Sequence, residues 1–554
     1  MPVLNVSELN IVLGVLGAFT VLYGIISVKI KQAWYLGETL PAVIFGIALG
    51  SLSAKFIESE KWGFATPGQT NAITLGTMRV MIGVQLVIAG YQLPAKYNNT
   101  RWKELALCLL PVMTIMWLCT TACIMVTIPT FLAALVIGSC VTCTDPIISQ
   151  AIAKGPFADK YVPRPLRDLI SSEAGANDGF GFPFLMLATY LIRHADIQRA
   201  NKYSRDILET GELPHAMVVR SEDVGRLGGG VGQAMKNWVV ETWLYMILLS
   251  VAYGALIGYG SCKGIRFALR RKWVDNESYL LFPTALALSI IGTCGAIGTD
   301  DLLTCFVAGS ALNWDGHYLR ETEVRHDEVN SCIDVLLNLG GFMYIGTILP
   351  WSDFNDPTGT SISWSRLFAL GFLVLIFRRL PAIFAFYKLM PAACSNWKDA
   401  LFMGYFGPIG AGAVFYVEHA RHLFPSDGDG DKEETDLVRA MALTVYWPVP
   451  FPIVAHGLSI PALNIFYHYI QKVPVKRDDV ELRCISLDAL PTNSVGANQD
   501  ALSTDCLHQP VNPGINRPVL GGSPSPVSME FSDDNDSLNK CRQIKTNNGN
   551  SARV

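Results

Sequence analysis

Charged residues are scarce in this chain. Asp, Glu, Lys and Arg make up 16% of its 554 residues, whereas soluble domains usually contain about 25%. Hydrophobic residues reach 50%. This balance argues against a soluble domain and predicts a polytopic membrane protein.

The chain also lacks an excess of basic residues. The formal net charge is -4, whereas nucleic-acid-binding domains carry an excess of clustered lysine and arginine. We therefore expect no nucleic-acid partner.

The sequence also lacks the cysteine spacing of a small disulfide-bonded scaffold. Its 13 cysteines lie mostly inside apolar stretches, and such stretches do not form the framework of a secreted domain. Cys140 and Cys143 form a C-x-x-C pattern, which indicates redox chemistry only in a suitable soluble fold. On a membrane helix we interpret both as small packing residues.

Apolar runs long enough to cross about 30 Å of hydrocarbon are the dominant feature of the chain. Hydropathy predicts about thirteen of them, all α-helical. The predicted spans are Asn10–Val28, Trp34–Leu52, Thr74–Leu93, Leu105–Val126, Thr130–Ala153, Asp168–Ile192, Trp238–Tyr259, Tyr279–Ile297, Leu302–Trp314, Ile333–Leu349, Leu367–Leu389, Ala400–Glu418 and Leu437–Tyr469.

The distribution of basic loops predicts the orientation. The first span has no charged leader or cleavage site and is expected to be retained. Basic residues in loops 29–31, 96–103, 154–167, 263–272 and 472–476 fall on one side, which is then cytoplasmic, with the amino terminus outside. Loop 194–237 is also basic and disagrees, but long loops obey this rule weakly.

The composition changes near residue 470. Residues 471–554 are rich in Ser, Asn, Asp and Pro and poor in aromatics, so they cannot bury enough apolar surface to offset the entropy of ordering. We expect a membrane transport domain in residues 1–470 and a disordered cytoplasmic tail in residues 471–554.

Two predicted spans contain helix-breaking sequences. Gly138–Pro146 places an acid and a proline in mid-span, and Gly404–Gly412 combines a proline with several glycines. Proline removes a backbone donor and frees carbonyl groups that can coordinate a cation. If the chain consists of two inverted halves of about six spans each, these spans occupy equivalent positions, the best sequence indication of a transport site. A proline kink used only for packing is the alternative.

Two acids lie at the heart of the sixth predicted span. Glu173 and Asp178 interrupt a segment otherwise suited to lipid, and an ionisable residue there costs about 3 kcal/mol on insertion scales. Burial disfavours a charged carboxylate whereas a bound cation favours it. One site could therefore hold either a proton or a cation. The alternative is that both acids are satisfied by neighbours and hold helices together.

Two further pairs of charged residues, Arg378–Arg379 and Asp300–Asp301, lie in or between predicted spans. Arg379 lies within another span and Glu173 is a candidate partner for it; Arg378, on the other face, is expected to extend toward water. Asp300 and Asp301 could attract cations into an aqueous funnel. They could equally form a helix N-terminus with Thr299 as its cap.

These residues together resemble a known superfamily. Thr144–Asp145–Pro146, the segment from Glu173 to Asp178, Arg379 and His456–Ser459 resemble the cation/proton antiporters. Gly179–Pro183 and Gly298–Asp301 resemble more narrowly the fungal plasma-membrane Na+/H+ antiporters.

The resemblance implies a transporter and not an enzyme, without a cofactor. It would export Na+ or Li+, with K+ as a further candidate, in exchange for protons by alternating access, as a homodimer in the plasma membrane, with roles in salt tolerance and pH homeostasis. Asp178 is the implied shared ligand of cation and proton, Thr144 and Asp145 contribute from crossed discontinuous helices, Asn177 holds the crossing, and Glu173 pairs with Arg379. Ala174 departs from the serine of many relatives, so backbone or water would substitute there.

Two other functions would also place acids in a membrane span. A proton-coupled carrier of another solute would use the same acids with a wider pocket. An intramembrane aspartyl protease would need a Gly-x-Gly-Asp signature in an apolar segment, but Gly428–Asp431 lies in a polar loop.

Overall fold

The fold is that of a computed structural model, which describes residues 8–50, 69–128, 130–153, 155–195, 226–325, 329–355, 362–425 and 432–470. These residues form helices and no β-sheet. The predicted tail, most of loop 194–237 and Gly428–Asp431 lie outside the described residues.

The helices are numbered in chain order. They are α1 (Glu8–Val28), α2 (Thr39–Leu49), α3 (Gln69–Tyr91), α4 (Trp102–Ile124), α5 (Phe131–Thr142), α6 (Pro146–Ala153), α7 (Pro156–Tyr161), α8 (Arg164–Gly179), α9 (Phe182–Arg193), α10 (Gly230–Arg270), α11 (Asn276–Ile297), α12 (Asp301–Leu312), α13 (His317–Val324), α14 (Val329–Ile348), α15 (Trp364–Phe377), α16 (Leu380–Phe386), α17 (Trp397–Tyr405), α18 (Ala411–Arg421), α19 (Lys432–Tyr446) and α20 (Pro450–Tyr469), with single turns at Tyr97–Thr100 and Tyr387–Leu389.

Long apolar helices confirm the predicted polytopic membrane protein. Within the described ranges, seven helices or helix pairs are long and apolar enough to cross a membrane. They are α3, α4, α10, α11, α14, α15 with α16, and α19 with α20, and shorter apolar helices accompany them.

Helix α10 is much longer than the predicted span Trp238–Tyr259. It runs for 41 residues, about 62 Å at the α-helical rise. Hydropathy ends the span where lysine and arginine begin, but backbone hydrogen bonding continues past them. Arg266 on this extension forms an ion pair with Asp315.

Besides the two spans with predicted breaks, Leu367–Leu389 is divided into α15 and α16, and two more predicted spans are divided at a proline-containing helix start. Asp168–Ile192 becomes α8 and α9, with Phe180 and Gly181 between them, and Leu437–Tyr469 becomes α19 and α20. Both second helices have a proline in their first turn, where the missing N–H group removes no intrahelical hydrogen bond. Hydropathy does not detect such junctions because the flanking residues stay apolar.

Small residues let the helices around the site approach closely. A Cβ atom built on Gly258 of α10 would meet the backbone of Ala308 in α12, and one on Gly309 would meet the backbone of Val87 in α3. Close backbone approach through small residues is how membrane helices gain packing contacts. This packing holds α12 beside α8, the helix that carries Asp178.

Candidate ion-binding site

The two predicted helix breaks meet inside the protein. Residues Cys143–Asp145 separate α5 from α6, and Phe406–Gly410 separate α17 from α18. The Asp145 N–H group donates a hydrogen bond to the Pro408 carbonyl at 2.9 Å. The breaks are thus joined through their backbones, and four helix ends point into one region.

Asp145 caps two of these helix ends. Its Oδ1 accepts hydrogen bonds from Ile147 N (2.9 Å) and Ile148 N (3.0 Å) at the start of α6. Its Oδ2 accepts one from Ala411 N (2.6 Å) at the start of α18. A carboxylate at a helix N-terminus satisfies unpaired N–H groups and complements the helix dipole, so Asp145 links both broken helices electrostatically.

Arg378 serves the opposite helix ends, which corrects the prediction that it extends toward water. It is 2% exposed, and Nη1 donates to the carbonyls of Val141, Thr142 and Cys143 at 2.8–3.1 Å. Nη2 donates to the carbonyl of Gly407 in the second break. Unpaired carbonyls at a helix C-terminus favour a cation. Desolvated carbonyls on two segments outweigh the snorkelling tendency of a long side chain.

Asp178 is the acid without a partner. It is fully buried, and neither carboxylate oxygen has a hydrogen-bond partner in the part of the chain that the structure describes. A Cβ atom built on Gly412, in the first turn of α18, would lie against Asp178 Oδ1. The absent side chain brings the carboxylate up to a helix N-terminus, which favours negative charge. Tyr416 fixes the backbone by donating to the Asp178 carbonyl at 2.5 Å.

A series of hydrogen bonds leads from Asn177, the neighbour of Asp178, through Glu173 to Arg379 in the second half of the protein. The Asn177 Nδ2 group donates to Thr144 Oγ1 (2.6 Å) and to Glu173 Oε1 (2.9 Å), while Asn177 Oδ1 accepts from Thr144 N (3.2 Å). Arg379 donates both guanidinium arms to Glu173, at 2.9 and 2.7 Å. The sequence names Glu173 as a candidate partner of Arg379, and the structure places the two in bidentate contact. Ala174 is buried beside Glu173.

Asp300 and Asp301 are both buried. Asp300, not Thr299, is the N-cap of α12 and accepts from Leu303 N at 3.1 Å. Thr299 instead bonds to Ser250 at 2.8 Å, because its side chain faces α10. Asp301 forms an ion pair with Arg79.

The N-terminus of α12 nevertheless lies next to the Asp178 region. A Cβ atom on Gly179 would meet the backbone of Leu303. The charges of Asp145 and Asp300 both act on Asp178. Nearby like charges disfavour a buried anion that has no partner, so binding of a proton or a cation would stabilise Asp178.

A cavity of about 370 Å³ approaches the site from one side. It is bordered by the start of α6, by the C-terminal half of α3 and by the N-terminal half of α14. Its polar lining includes Glu38, Gln85, Asp334, Asn338 and His456.

Sequence reasoning missed several residues at the site. Gly412, Tyr416 and Glu418 lie on α18; Gly412 ends the predicted break segment Gly404–Gly412, but the sequence analysis assigns no individual role to any of the three. The Gly-x-Gly spacing of Gly410 and Gly412 was the available signal: a Cβ atom on the first would lie against Asp145, and one on the second against Asp178.

A resident metal centre has no obvious ligands here. Among the described residues, no group of three or more His, Cys, Asp or Glu side chains could hold a metal ion. Thr144, Asp145, Asn177 and Asp178 lie together, and an alkali cation there would be cargo.

Comparison with known families assigns the chain. Residues 15–463 match the family model described as sodium/hydrogen exchanger, transmembrane. The chain belongs to that family. Its match to the exchanger family covers all of the site described above.

Three fungal relatives illustrate the similarity. The chain is 32% identical to Na(+)/H(+) antiporter 2 of Zygosaccharomyces rouxii, covering 90% of this chain and 56% of that protein. It is 33% identical to the Na(+)/H(+) antiporter of Saccharomyces cerevisiae, covering 84% and 44%. For the Na(+)/H(+) antiporter of Schizosaccharomyces pombe the identity is 30%, covering 88% and 97%. The chain thus spans about half the length of the first two relatives and nearly all of the third.

Solved structures share the fold. The sodium proton antiporter MjNhaP1 of Methanocaldococcus jannaschii aligns with a TM-score of 0.53 and 13% identity, covering 82% of this chain and 99% of that one. At that identity the similarity shows the fold alone.

Proposed function

We propose that this protein exports Na+ or Li+ across the plasma membrane in exchange for protons, with Asp178 as the group that binds them in turn. The observation that carries the proposal is the buried carboxylate of Asp178, which has no described hydrogen-bond partner. The names of the fungal relatives support the same activity.

The competition of two cargo ions follows from electrostatics. A buried unpaired carboxylate is costly, and either a proton or an alkali cation removes the cost. A proton on Asp178 neutralises the group that would attract the metal ion, so the two bind alternately. In this proposal Thr144 and Asn177 supply nearby oxygens, Asp145 holds both helix breaks in place, and the ion pair of Glu173 and Arg379 fixes Asn177.

Alternating access is part of the proposal. The 370 Å³ cavity reaches Pro146, Ile147 and Ile148, next to Asp145, from one side. On the other side of the crossing, α18 packs against α3, α5 and α19. Movement of the broken helices relative to α3 and α14 would close the cavity and open the other side.

Proton flux in proteoliposomes tests the function. The full-length protein should dissipate an imposed pH gradient when Na+ or Li+ is added, and Asp178→Asn should abolish this with unchanged folding. Glu434→Gln is the matched control, because Glu434 is also buried but forms an ion pair with Arg226. Retained exchange in the Asp178 variant would refute the assignment.

K+ transport, a homodimer, the plasma-membrane location and a cytoplasmic tail are also part of this proposal. The same assay with K+ decides whether K+ is a third substrate. Cross-linking in membranes tests the homodimer, and an epitope on residues 471–554, probed in intact and permeabilised cells, tests the plasma-membrane location and cytoplasmic tail. A truncation after residue 470 tests whether residues 1–470 transport alone.

A further inference from the structure

Glu418 is a buried acid that has no role in the exchange proposed above. It lies on α18 and is 1% exposed. Its Oε2 atom has no hydrogen-bond partner among the described residues. A buried ionisable group is costly, and inside a membrane protein it is by default a sign of function.

The position of Glu418 relates it to the site. It follows Ala411, whose N–H group binds Asp145, by two helical turns, and therefore lies on the same face of α18 about 11 Å farther along. An ion leaving the helix crossing along this face would meet its carboxylate next.

Glu418 lies on the side opposite the cavity. The cavity borders Gln85 in α3, Gln92 directly after α3, and Asn330 in α14. The Glu418 region instead involves the other ends of both helices. Asn71 of α3 accepts from Arg421 at 3.3 Å, and Asn71 lies about 31 Å along α3 from Gln92 at the α-helical rise.

Glu418 is held by hydrogen bonds from two side chains. Its Oε1 atom accepts from the Tyr446 hydroxyl at 2.8 Å and from Arg421 Nη1 at 3.4 Å. Nearby, the hydroxyls of Thr74 and Tyr344 are 2.6 Å apart and join α3 to α14. Four helices are thus held together around one carboxylate by polar contacts that can be exchanged.

The Arg421 contact is the weak member of the set. Its Nη1 atom is divided between Glu418 and Asn71 at long distances, and the arginine side chain is 29% exposed whereas that of Glu418 is 1% exposed. The cost of swinging such a partially solvated arginine into water is small compared with that of breaking a fully buried pair. A monovalent cation is suited to replace it, because oxygen ligands are preferred by hard cations.

We propose that Glu418 is a second cation-accepting residue on the transport path, which exchanges Arg421 for the transported Na+ or Li+ when the site opens to the face opposite the cavity. The inference rests on the proposed antiport. In this proposal Glu418 binds the ion after it leaves the Asp178 region. Arg421 is bound to the same carboxylate while that face is closed.

Two substitutions with opposite expected effects test it. In proteoliposomes of known orientation, Glu418→Gln should raise the apparent KM for Na+ added on the face opposite the cavity by about tenfold, the scale of losing one group near a bound metal. Arg421→Gln removes the competitor and should lower that KM. Glu418→Asp keeps the charge and should retain most of the affinity.

Controls separate this role from a structural one. Glu434→Gln and Arg226→Gln alter a neighbouring glutamate–arginine pair and should leave that KM unchanged. Loss of affinity in both the Glu418 and the Arg421 variants, or no change in either, would overturn the inference. If Glu418→Gln does not fold, Arg421→Gln decides alone: a lowered KM supports the proposal, and an unchanged or raised KM contradicts it. Wild-type exchange that is lost in Asp178→Asn keeps the proposed function standing whatever Glu418 does.

Discussion

Gly412 faces the carboxylate of Asp178 so closely that a Cβ atom on Gly412 would touch Oδ1. The first turn of α18 therefore approaches the acid without a side chain between them. This proximity lets the positive end of a helix compensate a buried negative charge, and it explains why a glycine occupies this position.

Substitution of Gly412 by alanine should abolish exchange. The added methyl group would displace the Asp178 carboxylate, since the interior is close-packed. Proteoliposome flux measures the loss. Gly292→Ala is the control, because a Cβ atom there meets nothing within 4 Å, and that variant should transport normally. Normal flux in Gly412→Ala would contradict the close approach.

Substitution of Asp145 by asparagine should lower stability, whereas Asp178→Asn should not. Asparagine keeps one acceptor oxygen but cannot accept from both helix starts, and a buried donor left unpaired costs about 1–3 kcal/mol. Asp178 makes no side-chain hydrogen bond to any described residue, so its substitution loses none. Thermal unfolding of the purified proteins in detergent compares them. Equal melting temperatures would contradict the double cap.

Loss of either partner of the Glu173–Arg379 pair should be strongly destabilising. The surviving charge would stay buried without its partner, at a cost of about 3–5 kcal/mol. The measurement is a double-mutant cycle with Glu173→Leu and Arg379→Met in thermal unfolding. We expect the double variant to be more stable than the sum of the single effects predicts; simple additivity would mean that the pair is not coupled.

Two substitutions of Asp300 separate its cap from its charge. Asparagine is as good an N-cap as aspartate, whereas alanine costs about 1 kcal/mol of stability. Asp300→Asn should therefore keep the melting temperature and Asp300→Ala should lower it. If the charge also attracts the cargo ion, both variants should raise the apparent KM for Na+ equally. An unchanged KM would leave capping as its role.

The local patterns were informative where a single segment decides its own structure. Pro146 and the glycines around Pro408 predicted two helix breaks, and the breaks are where the sequence placed them. Arg379 predicted an acidic partner, with Glu173 as the candidate, because an unpaired charge in lipid is costly. The Asp178 position was singled out for the same reason.

The sequence was a poor guide to side chains whose partners lie on distant segments. Arg378 was expected in water because a long side chain can reach it, but the unpaired carbonyls of two other segments hold it inside. Thr299 as the cap of α12 is one of the two alternatives that the sequence offers, but its hydroxyl bonds to Ser250 and Asp300 is the cap.

The sequence by itself determined that the chain is a helical membrane protein with buried acids and two interrupted spans, because hydropathy, proline and charge act through the nearest residues. Only the tertiary structure decided which acid stays unpaired. Asp145 is satisfied by N–H groups from two helix starts, Glu173 by a guanidinium from the other half of the chain, and Asp178 by no described group. These differences depend on contacts between residues more than 200 positions apart, which no local pattern encodes.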